Sequence, residues 1–133
     1  MWMVEKWVLV YGKETVEKMG KAFLEERPVT VRRNTAVVSK EEFEKELEKD
    51  GVVYRRHPVL PYAYELTRYD YLAGLLAFQK GYFYIQDISS MQVAEWADPK
   101  EGDYVIDVCA APGGKAIHLA EKLSGTGYVE ARV

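Results

Sequence analysis

The sequence predicts two consecutive folding units, an α+β segment followed by the first βαβ part of an α/β domain. In residues 1–83, helical patterns alternate with short runs of β-branched and aromatic residues. In residues 84–133, a helix, a strong strand, a glycine-rich loop, a helix and the start of another strand follow one another. The composition, 48% hydrophobic and 29% charged, is sufficient for a buried core.

Two helices are predicted at the start of the first unit. Apolar residues recur at helical spacing over residues 3–10, although residues 7–11 alone also fit a strand. A second amphipathic pattern covers residues 14–26. It ends before Pro28, because the proline ring disfavours helical geometry in the residue that precedes it.

Four strands and two further helices complete the first unit and its border. The predicted strands, rich in β-branched and aromatic residues, are 29–35, 52–56, 62–68 and 82–86. Ser39 and Glu42 match a capping box, in which both side chains satisfy free amides, so a helix is expected to run to Lys49. A short helix is expected within residues 69–80.

The second unit has the pattern of a parallel βα repeat. A second capping box at Ser89–Gln92 predicts a helix from Ser90 to Ala97. The remaining predicted elements are a strand at 104–108, a helix at 115–123 and a strand from 128. Two strands leave unpaired edges, so we expect self-association or a complementing chain to complete the sheet.

Composition excludes several classes of protein. One cysteine excludes an internal disulfide framework, and two histidines without ligand-like spacing argue against a metal enzyme. No apolar run approaches the roughly 20 residues that span a bilayer, and the N-terminus does not match a secretory signal. We therefore expect a cytoplasmic protein without a membrane partner.

Arginines cluster despite the net charge of −3. Six of the seven lie between Arg27 and Arg68, and no acidic residue occurs between positions 27 and 40. Six acids then follow in residues 41–50. A local basic patch is compatible with an acidic total, because salt screens each field over about 10 Å.

The loop that follows the strand at 104–108 carries the clearest chemical signal. Ligands of α/β sheets bind beyond the carboxyl ends of strands. The glycines permit a tight turn, and free amides at the start of the next helix favour a negative charge. Lys115 adds a cation at the same place. The pattern indicates a nucleotide-like ligand with an anionic group.

Two common nucleotide motifs do not fit this loop. A P-loop requires a glycine where Cys109 stands and a serine or threonine where Ala116 stands. The dinucleotide pattern G-x-G-x-x-G has no match around Gly113.

The sequence resembles the RsmB/Sun family of RNA 5-methylcytosine methyltransferases in three places. Asp107-Val108-Cys109-Ala110-Ala111-Pro112-Gly113-Gly114-Lys115 resembles the S-adenosylmethionine motif of that family. Gln86-Asp87-Ile88-Ser89-Ser90 resembles its Q-D-x-x-S box, and Arg32-Arg33-Asn34-Thr35 resembles its R-x-N-T element. The matches run through the chain in the order of the family.

This resemblance implies a fold and a cofactor. Residues 1–83 would hold the N-terminal helices and an RNA-recognition-like domain, and residues 84–133 the start of a Rossmann-like class I methyltransferase domain. The cofactor would be S-adenosyl-L-methionine, and the partner rRNA or tRNA. The residues implied in cofactor binding are Cys109, Ala110, Ala111, Pro112, Gly113, Gly114 and Lys115.

The resemblance also implies methyl transfer to carbon 5 of cytosine. In the family, one cysteine attacks carbon 6, a second assists release, and an aspartate stabilises the activated ring. These positions lie downstream of the cofactor loop, so no residue of this chain is assigned to catalysis and the chain alone is expected to be inactive. The family's ribose-binding acid is expected near Val133, and Glu130 lies out of register. The alternative is a non-catalytic RNA-binding fragment or truncated paralogue.

Four arginines are the candidates for RNA contacts: Arg32, Arg33, Arg55 and Arg56. Neighbouring residues of a strand project to opposite faces, so one arginine of each pair could line an RNA surface. The alternative is a solvated face or ion pairs with the acidic helix at 41–50.

Overall fold

The computed structural model describes residues 2–25 and 27–133, and its elements follow the predicted order. The helices are α1 (Trp2–Tyr11), α2 (Lys13–Leu24), α3 (Lys40–Lys49), α4 (Leu76–Gln79), α5 (Ile88–Ala97) and α6 (Gly114–Lys122). The strands are β1 (Val29–Arg33), β2 (Val53–Arg56), β3 (Ala63–Thr67), β4 (Phe83–Ile85), β5 (Tyr104–Asp107) and β6 (Tyr128–Ala131). A 3-10 turn at Leu72–Gly74 precedes α4. The predicted end of the second helix, Glu26, lies outside the described residues.

The first four strands form one antiparallel sheet in the order β2-β3-β1-β4. With α3 between β1 and β2 and α4 between β3 and β4, this is the split βαβ topology of ferredoxin-like folds. β1 lies at the centre, and its residue Arg32 is paired with Ala63 on one side and Tyr84 on the other. The predicted α+β unit is confirmed.

Helix α3 packs on one face of this sheet. The Ser39 hydroxyl accepts a hydrogen bond from the Glu42 amide at 3.2 Å, which confirms the N-cap that the first capping box predicts. Phe43 and Leu47 of α3 are fully buried. They share a core cluster with strand residues, among them Val31 of β1.

Helix α5 starts earlier than predicted. It begins at Ile88, with Asp87 at the N-cap position and no side-chain cap bond, so the second capping box is wrong. Ile88 packs against the buried cluster that contains Met91 and Ala63. This tertiary contact holds the first turn in helical geometry. The capping-box prediction considered only side-chain bonds to nearby amides and could not include this contact.

Strands β5 and β6 form a separate parallel pair joined by α6. Their register runs from Tyr104 opposite Tyr128 to Asp107 opposite Ala131. The two tyrosine rings stack with centroids 5.3 Å apart. The crossover of a strand, a helix and a parallel strand is the predicted start of an α/β domain.

Strand β4 lies across the predicted division between residues 83 and 84. All three of its residues pair with β1, so β4 belongs to the first sheet. A division after Ile85 agrees better with this pairing. No helix in the described ranges is both long and apolar enough to cross a membrane.

Candidate functional site

A cavity of about 200 Å³ opens where the loop after β5 meets the segment after β4. Its walls are Ile85, Gln86, Asp87, Ser90, Cys109, Ala110, Ala111, Pro112, Gly114 and Lys115. The predicted cofactor loop and the Q-D-x-x-S box, more than 15 residues apart in the chain, therefore line one space. Gly113 does not line the cavity.

The loop is held by backbone bonds to both strands of the second sheet. The Ala110 amide donates to the Arg132 carbonyl at 2.9 Å, and the Arg132 amide donates to the Asp107 carbonyl at 2.9 Å. Asp107 Oδ1 accepts from the Cys109 amide at 3.1 Å. Asp107 Oδ2 is buried and has no partner within the described part of the chain. Asp107 thus holds the first residues of the loop through one carboxylate oxygen, and its side chain does not line the cavity.

Helix α6 begins at the cavity with uncapped amides. Gly113 occupies the N-cap position with φ 106°, and no side chain caps this helix start. A Cβ at Gly113 would lie 3.5 Å from Ile117, so the constraint on this position is its left-handed backbone rather than lack of space. Lys115 in the first turn is exposed. The arrangement favours an anionic group at this end of the cavity.

Gln86 forms the opposite wall. It is buried, and its Nε2 donates to the Gly114 carbonyl at 3.3 Å. Its Oε1 accepts from Arg32 Nε at 2.7 Å. Gln86 thus connects the first sheet with the first residue of α6.

Three of the four predicted RNA-binding arginines form hydrogen bonds or ion pairs with residues in or next to the first sheet. Arg33 Nη1 donates to the Val38 carbonyl at 2.5 Å. Arg55 pairs with Glu65 at 2.5 Å, and Arg56 forms two hydrogen bonds to Glu44 at 2.7 and 2.5 Å. The Arg56 contact is the predicted alternative, an ion pair with the acidic helix.

Arg32 does not have the RNA-facing position that the sequence suggested. Its side chain is 1% exposed and bonds to Glu121 of α6. Its guanidinium also lies 4.6 Å from the centroid of the Tyr84 ring. Arg32 is therefore buried where β1 meets α6, and an RNA contact at this residue stays a prediction.

Burial shifts the pKa values of the ionisable groups where α6 meets the first sheet. It lowers the pKa of Arg32, which the attraction of Glu121 opposes, and it raises the pKa of Glu121, which Arg32 opposes. Burial also lowers the pKa of His118 to about 4, and the charges of Arg32 and Lys122 add to this shift. The His118 ring packs edge-on against Tyr62, with centroids 5.1 Å apart. A neutral His118 and a bonded Arg32 form the contact layer between sheet and helix.

The predicted ribose-binding acid has no counterpart at the end of β6. Glu130 accepts hydrogen bonds from the Tyr104 hydroxyl and from Arg132 Nε, the latter at 2.5 Å. It lies opposite Ile106, one residue before the end of the strand pairing. The carboxylate of Glu130 is thus engaged by its neighbours in the second sheet.

Two family models match the chain. The model described as Methyltr_RsmF/B-like, ferredoxin-like domain matches residues 1–70, more than half of the chain. The chain belongs to the RsmB/F methyltransferase family. A second model, 16S rRNA methyltransferase RsmB/F, matches residues 94–132, which include the cofactor loop and α6.

Relatives within the RsmB/F family agree with this assignment. The chain is 36% identical over 128 residues to the probable ribosomal RNA small subunit methyltransferase B of Bacillus subtilis, covering 96% of this chain and 28% of that protein. It is 50% identical over 58 residues to the tRNA (cytosine(72)-C(5))-methyltransferase of Pyrococcus horikoshii, covering 44% and 15%. The chain thus spans less than a third of these relatives.

A solved structure shows the same fold. The crystal structure of a methyltransferase homolog protein from Pyrococcus horikoshii aligns with a TM-score of 0.72 and 31% identity, covering 96% of this chain and 42% of that one. The RsmB/F chain therefore consists of an N-terminal ferredoxin-like domain and part of a methyltransferase domain.

Sequence reasoning missed the contact between Arg32 and Glu121. The two residues are 89 positions apart, and neither periodicity nor charge clustering links them. One local signal was present: a charged residue next to Val31 in a strand of the first sheet requires a polar partner if both sheet faces are covered. This requirement identifies Glu121 as the partner only when the position of α6 on the sheet is known.

Proposed function

We propose that this protein forms the RNA-binding and cofactor-loop part of an S-adenosylmethionine-dependent RNA (cytosine-5) methyltransferase. The observation that carries the proposal is the shared cavity, in which the predicted cofactor loop and the Q-D-x-x-S box face each other. The names of the relatives support an RNA substrate, rRNA in one case and tRNA in the other.

The residues of the cavity fit part of S-adenosylmethionine. The uncapped amides of α6 and Lys115 suit its carboxylate. The volume of about 200 Å³ is smaller than the roughly 300 Å³ at which pockets for drug-sized ligands begin. The remainder of the cofactor would lie over the open end of the second sheet.

The chemistry of methyl transfer needs groups beyond those in these 133 residues. When bound, the cofactor supplies an electrophilic methyl group, and the family mechanism requires a cysteine that attacks the cytosine ring. The one cysteine of the chain, Cys109, lies within the cofactor loop. The attacking cysteine would therefore come from another part of the enzyme, as would strands that pair with the open edges of β5 and β6. Association with another copy of the chain is an alternative way to cover these edges.

Titration calorimetry with S-adenosylmethionine tests the cofactor site. We expect saturable binding by the chain and roughly tenfold weaker binding by Lys115→Glu, because the substitution replaces a cation near the cofactor carboxylate by an anion. Lys21→Glu on α2 makes the same charge change elsewhere and should retain full affinity. No heat of binding for the unsubstituted chain would contradict the proposal. The mass of the species in solution, measured on the same sample, distinguishes a monomer from a self-associated form.

The RNA surface is proposed to include Arg27 and Arg68. Both are exposed, and neither forms an ion pair with another described residue. They line one surface cavity of about 630 Å³ together with Pro28 and Tyr69, among others. Of the four arginines predicted from sequence, Arg55 has the most exposed side chain, at 77%, and can exchange Glu65 for a phosphate. Because α6 covers the centre of the sheet, the proposed RNA contacts lie at its periphery.

Salt-dependent binding of a tRNA transcript tests this surface. Arg68→Glu should weaken binding and reduce the slope of log K against log salt concentration by about one, because one phosphate contact is lost. Lys45→Glu on the outer side of α3 carries the same charge change and should alter the slope little. Equal effects of the two substitutions would show that only overall charge matters, and would exclude Arg68 as a specific phosphate contact.

A further inference from the structure

The buried Arg32 has contacts at both ends of α6. Arg32 Nη1 bonds to Glu121 in the last turn of the helix. Arg32 Nε donates to Gln86 Oε1 at 2.7 Å, and Gln86 Nε2 donates at 3.3 Å to the carbonyl of Gly114, the first residue of the helix. One guanidinium on the central strand β1 is thus connected with the first and the last turn of the helix that borders the cavity.

These contacts also fix the orientation of the Gln86 amide. Arginine has donors and no acceptor, so the Gln86 oxygen must face Arg32. The Gln86 nitrogen therefore faces Gly114 and the cavity. Without Arg32, the Gln86 oxygen loses its donor, and of these two bonds the amide keeps only the longer one, to the Gly114 carbonyl at 3.3 Å. Arg32 itself does not line the cavity, so its influence on a ligand there would be indirect.

Stability alone does not account for an arginine at this position. Removing a guanidinium and a carboxylate from water costs several kcal/mol per ion, and a well-packed apolar pair is often as stable as a buried ion pair. The bonding here is also incomplete, since Arg32 Nη2 and Glu121 Oε1 are buried without a partner among residues 2–25 and 27–133. What an apolar pair would not supply is a directional donor for Gln86.

We propose that Arg32 is a positioning residue that, through Gln86, fixes the first turn of α6 and thereby the geometry of the cofactor cavity. This inference rests on the proposed function for the identity of the ligand. It assigns to the first sheet a role in cofactor affinity: an element of the proposed RNA-binding domain sets the shape of the site for the methyl donor.

The double variant Arg32→Met/Glu121→Met tests the role of Arg32. It removes both charges together, so no unpaired ion remains in the interior, and it deprives Gln86 of its donor. We expect the affinity for S-adenosylmethionine to fall about tenfold, the effect of one directional hydrogen bond. Amide hydrogen exchange at residues 117–120 of α6 should accelerate, while exchange at residues 43–47 of α3 should not change.

The matched control is Arg56→Met/Glu44→Met. It removes an arginine–glutamate ion pair from the α3 face of the same sheet, where the side-chain hydrogen bonds join Arg56, Glu44 and Tyr64. The Arg56 side chain is 54% exposed, whereas that of Arg32 is 1% exposed. This control should leave cofactor affinity and α6 exchange unchanged, even if the free energy of unfolding decreases. Arg32→Lys is a second test in case the double variant does not fold. It keeps the positive charge, but a single ammonium lacks the planar fork that serves Gln86 and Glu121 together, so a partial loss of affinity is expected.

The outcomes separate the two proposals. If the unsubstituted chain does not bind S-adenosylmethionine, the proposed function fails, and the exchange of α6 still decides whether Arg32 positions the helix. If the Arg32 variants fold, bind the cofactor with unchanged affinity and show unchanged exchange in α6, the positioning role is overturned. Equal losses in the Arg32 and Arg56 variants would also overturn it, because they would reflect general destabilisation.

Discussion

His118 is a buried ionisable group whose environment opposes its charge. It is 3% exposed, and its Nδ1 has no partner within the described ranges. The nearby charges are Arg32 and Lys122, which disfavour a second positive charge, and Glu95, which favours it weakly. The residue therefore makes the folded state sensitive to acid.

Stability should decrease between pH 6.5 and pH 4 because of His118. The pKa of His118 is about 4 in the folded state and 6.5 as the ordinary value, so the unfolded chain binds the proton first as the pH falls. The loss should approach roughly 3 kcal/mol near pH 4 and be absent above pH 7. Urea unfolding of the chain and of His118→Phe at several pH values measures it.

The comparison with His118→Phe isolates this effect. Carboxylates whose pKa values are lowered by ion pairs, such as Glu44 and Glu95, also reduce stability in acid, and they do so in both proteins. The difference between the two unfolding curves therefore belongs to His118. Parallel curves from pH 7 to pH 4 would show that the histidine is not buried in its neutral form.

The role of a residue was predictable where it depends on neighbours in the sequence. It was not predictable where it depends on a partner far away in the chain. The sequence placed residues 109–115 at a strand-to-helix turn, and six of these seven line the cavity. It placed Arg32 on a strand and predicted α6, both correctly, but it did not show that α6 packs against Arg32. Burial of an arginine is a property of the tertiary contact, so neither strand propensity nor charge clustering reports it.

At the scale of elements, the start of α3 illustrates a local rule that holds. Ser39 is exposed and accepts one hydrogen bond, from the Glu42 amide at 3.2 Å. Ser39→Ala should lower the free energy of unfolding by about 1 kcal/mol, because it leaves that amide without a protein partner. Urea unfolding measures the change.

Ser39→Asp is the control for this prediction. Aspartate keeps the acceptor and adds a negative charge at the helix start, so stability should be equal to or higher than that of the unsubstituted chain. A loss in Ser39→Asp as large as in Ser39→Ala would show that the serine acts through packing rather than capping.

Element types followed from periodicity, while their ends depended on packing. The strands of the first sheet and the crossover around α6 lie where β-branched runs and glycines indicated. The start of α5 did not, since Ile88 is drawn into the helix by the cluster around Met91. A helix start can shift by one or two residues when an apolar side chain gains a buried contact, because burial of its apolar area offsets the free-energy change at the helix end.

At the scale of the whole molecule, the relation of the two units determines which surfaces are available. An RNA-recognition domain typically stacks bases on the open face of its four-stranded sheet. Here Arg32 and Tyr84 project to that face, and Arg32 is bonded there to Glu121 of α6. The sequence predicted the sheet and its arginines but not the packing of α6 on the sheet. That packing depends on a contact between Arg32 and Glu121, which are 89 positions apart.

The position of β4 has a practical consequence for dissecting the molecule. A fragment cut at residue 83 would lose two of the three residues of an edge strand and leave one side of β1 unpaired. A fragment that begins at residue 84 would keep Gln86 and lose Arg32, the donor that orients its amide. Neither half would retain the surfaces it has in the intact chain. Tests of the proposed RNA and cofactor binding on separated halves would therefore examine altered surfaces, whereas a cut beyond Ile85 preserves at least the sheet.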